Sequence, residues 1–221
     1  MVVSSNDEFM MMEWTSLWWE KMAGEKYLLV NPNTEHSTLT NIPKTMNTVS
    51  WFVDRIKYNR TEIHSFDSQF DDETATIQVQ MHEGAVKPFE VALRHTETLS
   101  SKKRDFRWVG VTDENGNCEF PAFKVPTKEG LCVQPMFWEK DASHELGSGK
   151  YKATVPSPRV EGHWKGAFAE VIFPFHHPSG HWLVDFIVNP NEFSLTSPGF
   201  VTPNTFPFED CHLETCTNTS A

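Results

Sequence analysis

The sequence predicts an α+β chain: a short βαβα stretch over residues 1–60, then an antiparallel β-sandwich of immunoglobulin-like type over residues 74–221. Three observations carry this. Apolar residues between 1 and 60 recur at helical steps, as in Ile42, Met46, Val49, Phe52, Val53 and Ile56. From Thr74 onward the apolar period changes to two, as in Ile77, Val79 and Met81. Between them, residues 61–73 carry Asp67, Asp71, Asp72 and Glu73 and read as a solvated polar link.

In order along the chain, a short β-prone run leads into Ser5-Asn6-Asp7-Glu8-Phe9. Residues 10–22 are expected to form a helix whose Trp14, Leu17, Trp18 and Met22 lie on one face and cover a sheet. Gly24 closes that helix. Residues 27–30 read as a strand, residues 31–37 as a polar loop containing His36, and the stretch from Ile42 to Ile56 as a second helix.

An acid after a strand, a helix, a second strand and a histidine in the next loop is the order in which the last two triad members of an α/β-hydrolase arrive. On this reading residues 1–60 are the C-terminal portion of such a domain, Asp7 orients an imidazole, and His36 is the general base. The plainer reading makes Asp7 a helix N-cap and His36 a surface residue. No serine stands in a G-x-S-x-G elbow, and the chain begins too late to hold the parallel strands that would carry one. The expectation is a chain that lacks its front half and does not catalyse by itself.

Composition narrows the function classes. The 221 residues include 8 Trp and 17 Phe, ample core-forming material for one large or two small domains. A formal net charge of −11 repels phosphates, so neither a nucleic acid nor an anionic membrane surface is the expected partner. No apolar run is long enough to span a bilayer, and the N-terminus has neither the basic start nor the apolar stretch of a signal peptide. Cys118, Cys132, Cys211 and Cys216 allow three pairings, of which Cys118–Cys132 with Cys211–Cys216 is the most local. Their spacing lacks the C-x2-C of a zinc site. Asn59-Arg60-Thr61 and Asn218-Thr219-Ser220 are N-glycosylation sequons.

In the second part, Phe89, Val91 and Leu93 alternate with other residues, and Phe106, Trp108 and Gly110 continue the pattern. Asp113-Glu114-Asn115-Gly116 reads as a turn. Residues 131–138, 151–155 and 164–173, then Trp182, Val184, Phe186 and Val188, supply further strands. This part is expected to fold without residues 1–60. Arg104-Asp105-Phe106-Arg107 could bind a ligand carboxylate, but an Arg–Asp pair fixing a strand entrance or the seam between the two parts is the favoured reading. His176-His177-Pro178-Ser179-Gly180-His181 holds three imidazoles, yet its Pro and Gly mark a hairpin tip with no carboxylate nearby, so no metal is expected. Gly147-Ser148-Gly149-Lys150 fails the P-loop spacing, and no cofactor is expected.

Asn6-Asp7-Glu8-Phe9, Gly24-Glu25-Lys26-Tyr27-Leu28 and Pro32-Asn33-Thr34-Glu35-His36-Ser37 together resemble the PhoPQ-activated pathogenicity-related family. Arg104-Asp105-Phe106-Arg107 and Pro203-Asn204-Thr205-Phe206-Pro207-Phe208, just before Cys211, extend the resemblance over nearly the whole chain, as that family's C-terminal half. One departure is local: Phe9-Met10-Met11-Met12-Glu13 stands where members usually read Phe-Phe-x-Pro-Asp. The resemblance implies a secreted, extracellular protein with a serine-hydrolase-like domain acting on a small-molecule ester or amide, whose nucleophile lies upstream. The alternative it implies is a non-catalytic secreted signalling or binding protein that meets a protein partner through its β-sandwich.

Overall fold

The computed structural model describes residues 1–118, 120, 123–125, 130–175 and 191–207. It begins with two short parallel strands, β1 (Val2–Ser4) and β2 (Leu29–Asn31), paired from Val2 opposite Leu29 to Ser4 opposite Asn31. The connection between them is not one helix over 10–22. It is a 3-10 turn at Met12–Trp14, a single α-turn α1 (Thr15–Trp18), and a second 3-10 turn at Trp19–Lys21, none with a side-chain N-cap. Tryptophan, serine and threonine are middling helix formers, so tertiary contacts decide the path. Met12, Glu13 and Thr15 turn inward, while Trp14 and Leu17 are 42% and 66% exposed, so of the expected apolar face only Trp18 packs against a core cluster. Thr15 is tied in by its hydroxyl, which donates to Met12 O and accepts from Gly199 N. Only glycine fits at 199, because a Cβ there would lie 2.9 Å from the Met12 carbonyl oxygen.

The second helix, α2 (Ile42–Lys57), forms as the spacing predicts, with Pro43 in its first turn and Arg55 and Lys57 in its last. Its docked face is a neighbouring one. Ile42, Met46, Val49, Phe52, Val53 and Ile56 are between 39% and 66% exposed, whereas Asn47, Thr48, Trp51 and Asp54 are buried. The buried face meets strand β13 (Glu192–Thr196): Thr48 Oγ1 donates to Ser194 O at 3.0 Å, and Trp51 stacks on Phe193 at 4.2 Å. The same strand holds β2, since Thr196 N donates to Leu28 O and Val30 N donates to Thr196 Oγ1, both at 2.8 Å.

Two antiparallel sheets share a hydrophobic cluster. One has the order β10 (His144–Gly147), β11 (Lys150–Thr154), β4 (Thr76–Met81), β3 (Phe66–Asp71). The other has the order β13, β12 (Lys165–Pro174), β5 (Glu90–Glu97), β9 (Glu139–Ala142), with β14 (Phe200–Thr202) also paired to β12. Ile77, Val79, Tyr151 and Ala153 of the first meet Val91, Leu93, Val171 and Phe173 of the second. A third small sheet joins β6 (Val109–Val111), β8 (Leu131–Val133) and β7 (Phe123–Val125). The Cys118–Cys132 disulfide forms there, while Cys211 and Cys216, the strand read at 182–188 and the histidines from His176 to His181 lie outside the described residues. The Asp113 turn is present, with Gly116 at φ +77° and its N–H on Asp113 O at 2.9 Å.

The polar link is corrected in part. Residues 66–71 form β3, hydrogen-bonded along its whole length to β4, with Phe66 and Phe70 packed on the shared cluster. Phe66, Ser68 and Phe70 alternate with Asp67, Gln69 and Asp71, a period of two that the density of acids conceals. Both hydrophobic clusters also draw on residues 1–60. Trp51 belongs to the first, and Met12, Leu28 and Val30 join Phe106, Trp138, Phe168 and Val201 in the second. Such shared burial opposes independent folding of residues 74–221. No helix among the described residues is long and apolar enough to cross a membrane.

Candidate acid–base site

The loops that follow β1 and β2 are laced into one unit. Ser5 N donates to Asn31 O and Asn6 N donates to Thr34 O, both at 3.0 Å, while Ser5 Oγ accepts from Asn33 N. The Asn6 side chain donates to Phe106 O at 2.9 Å, and Trp108 N donates to Asn6 O at 3.2 Å, so the acid loop is pinned to the strand-rich part. The Arg104–Arg107 motif therefore sits at the seam. Its Asp105 receives Arg107 through Nε and Nη2 at 2.8 and 2.7 Å, and Arg104 Nη1 reaches Thr205 O at 3.0 Å. A bidentate Arg–Asp pair is a rigid spacer, in agreement with the favoured reading of the motif.

On this frame the structure brings Asp7 and His36 together. Asp7 Oδ1 accepts the backbone N–H groups of Phe9 and Met10 at 2.8 and 2.9 Å, which locks the carboxylate in a turn. His36 Nδ1 lies 2.9 Å from Asp7 Oδ2 and 3.1 Å from Oδ1. The two side chains differ sharply in setting: Asp7 is 6% exposed and His36 55%. The residue is held at two further points. The His36 backbone N–H donates to Glu8 Oε2 at 3.0 Å, and the Phe9 ring meets the His36 ring edge-on at 5.0 Å. The histidine loop is stiffened by Glu35, which accepts from Leu39 N and from the Ser37 and Thr40 hydroxyls. Partial burial would raise the Glu35 carboxyl, but those hydrogen bonds outweigh it and hold the group down at about 2.

A carboxylate that accepts Nδ1–H fixes the tautomer and leaves the Nε2 lone pair to take a proton. A group of three, Ser65, Asp67 and His82, was not singled out from the sequence. Ser65 Oγ lies 2.9 Å from His82 Nδ1, and His82 Nε2 lies 3.2 Å from Asp67 Oδ1. The signal for it is the i, i+2 pairing of Ser65 and Asp67 beside a cross-strand histidine. Asp67 is 83% exposed and His82 44%, so solvent competes for that contact, whereas Asp7 is buried beside His36. Among the described residues no group of three or more His, Cys, Asp or Glu is placed to hold a metal ion.

The site is thus a buried carboxylate in contact with one nitrogen of a half-exposed imidazole, set on the loops after two successive parallel strands of a βαβ unit. The family described as PhoPQ-activated pathogenicity-related protein matches residues 1–107, a span that holds both loops and ends at the Arg107 seam. The chain is also 25% identical over 217 residues to Autocrine proliferation repressor protein A of Dictyostelium discoideum, a match that covers 95% of this chain and 39% of that protein. Both findings bear out the resemblance read from the motifs. The chain thus spans about two fifths of the length of the curated relative it matches. No solved structure matches it.

Proposed function

We propose that this chain is the acid-and-base-bearing part of a secreted α/β-hydrolase-like protein, followed by an immunoglobulin-like sandwich, and that it is inert toward esters by itself. The observation that carries the proposal is the 2.9 Å contact between buried Asp7 Oδ2 and His36 Nδ1. Asp7 holds the imidazole in the tautomer that exposes Nε2 as a base, and a serine on polypeptide outside this sequence supplies the nucleophile. Support for outside polypeptide comes from the relative, of which this chain covers 39%. Support for an extracellular setting comes from the disulfide and from the exposed sequon at Asn59, just past the end of α2. The second reading, a secreted signalling or binding protein without catalysis, is favoured by one finding, the name of the Dictyostelium relative.

The test is an assay of the purified chain against short acyl nitrophenyl esters, beside His36→Ala. The expected result is no His36-dependent turnover, because the imidazole has no hydroxyl to deprotonate. Turnover that disappears in His36→Ala and in the presence of a serine-directed phosphonate would place a working nucleophile within this chain and overturn the proposal.

A further inference from the structure

A cleft of about 700 Å³, set apart from the Asp7–His36 contact, opens between the turns after β1, strand β14 and the segment 102–107. That is the size of a small-molecule site. Its walls are largely apolar. Phe70 and Phe200 stack at 3.6 Å on one side, and Trp14, Leu17 and Phe206 stand 42%, 66% and 53% exposed around it. Exposed large side chains grouped about one concavity mark a binding surface more often than single exposed ones do.

The rim has the opposite character to the rest of the chain. Lys102, Lys103 and Arg104 are consecutive and line the cleft, the two lysines at an exposed edge, in a protein whose formal net charge is −11. Arg104 lies over the Phe206 ring at 4.2 Å, which joins the basic rim to the apolar wall. Of the acids in the lining, Asp105 is paired with Arg107 and Asp72 accepts from Asn204 N. The remaining one, Glu13, is 92% buried by its 8% exposure, and its Oε2 has no hydrogen-bond partner.

We propose that this cleft binds a free amphipathic carboxylate, with its apolar chain against the Trp14, Leu17 and Phe206 walls and its acid head on the Lys102–Arg104 rim. Charge complementarity carries the choice of head group, since a cationic amphiphile would meet three cations at the rim. Asp72 and Glu13 are the lining carboxylates that oppose an anion, since the Asn204 N–H on Asp72 leaves its charge in place, and the three cations of Lys102–Arg104 outnumber them. Burial pushes the Glu13 carboxyl up, in the direction of the neutral form, against the smaller pull of its own backbone and of Arg104.

The test is calorimetric titration of the intact chain with decanoate, decanol and decylammonium, beside a Lys102→Glu/Lys103→Glu variant and Leu17→Asp. Saturable binding of decanoate to one site is expected, at least ten-fold tighter than either analogue. The charge-reversed pair should lose ten-fold or more, and Leu17→Asp should weaken decanoate and decanol together. Both variants change exposed positions, and their circular dichroism should match that of the unaltered chain. Equal binding of the three amphiphiles, tighter binding of decylammonium, or charge reversal without effect in a folded variant would overturn the proposal. So would binding to anionic phospholipid vesicles in the absence of any binding to decanoate.

Discussion

Replacing Glu170 with alanine is expected to cost about 3–5 kcal/mol of stability, the range for removing one partner of a buried ion pair. Glu170 lies on β12 with no exposed side-chain area and is met from two elements. Lys44 of α2 contacts Oε1, and Arg94 of β5 places Nε 2.6 Å from Oε2. Alanine leaves both cations facing an apolar gap, although Lys44 keeps its 3.0 Å bond to Ser194 Oγ. The same group sets an acid limit. Burial by itself would raise the carboxyl, but the charges and hydrogen bonds of Lys44 and Arg94 outweigh it and hold it at about 2. A folded-state value depressed in this way stabilises the protein above the unfolded value of about 4.3, and that contribution is lost as pH falls through about 2. The linked contribution is on the order of 3 kcal/mol. Denaturant unfolding at pH 7 and at pH 3 checks both parts. The variant should be much weaker at pH 7 and should lose less than the unaltered chain on acidification. A loss under about 1 kcal/mol at pH 7 would remove the buried pair from the account.

The second large effect is expected at Trp51, where alanine should cost about 3–5 kcal/mol. Trp51 joins the helix to the strands through rings alone. It stacks on Phe193 at 4.2 Å with an interplanar angle of 10°, and it meets Tyr27 and His64 edge-on at 4.9 and 5.4 Å. Each such ring pair adds about 0.5–1.5 kcal/mol to the area it buries. Because Phe193 also touches Phe173 inside the sheet cluster, the loss should spread into the strands. Unfolding followed by far-ultraviolet circular dichroism should show a single transition at lower denaturant, with Trp51→Phe recovering part of it. Strands that melt where they did before would mean that α2 and the sheets are energetically separate.

Much of the strand part was legible because a sheet with one covered face writes its burial as alternation, as Ile77, Val79 and Met81 do. Strand β12 was legible for a different reason: nine of its ten residues are buried, so between two covered faces it reads as an apolar run broken only by Lys165 at its start and by Glu170. Helix α2 was legible in place but not in orientation, whereas the helix read over residues 10–22 is two 3-10 turns around a single α-turn. What docks α2 is polar or lone: Lys44 on Glu170, Thr48 on Ser194, Trp51 on Phe193. These partners are far apart in sequence, so periodicity carries no trace of them, and the apolar stripe marks the side that stays open. At the candidate site, the order acid, helix, strand, histidine pointed to Asp7 and His36. The parts that hold them in place, Glu8 on the His36 backbone, Phe9 on the ring and Asn6 on Phe106, depend on how two loops cross and could not be read from spacing.

The claim on which the functional reading rests is that Asp7 dictates which nitrogen of His36 carries the proton. Long-range ¹H–¹⁵N spectra of the ring at neutral pH measure this directly in the chain as it stands, in the unaltered protein and in Asp7→Asn. The predicted result is a proton on Nδ1 and an unprotonated Nε2, with the preference lost or reversed in Asp7→Asn, whose amide can donate to Nδ1. A neutral His36 that carries its proton on Nε2, or a tautomer indifferent to the asparagine, would contradict the account.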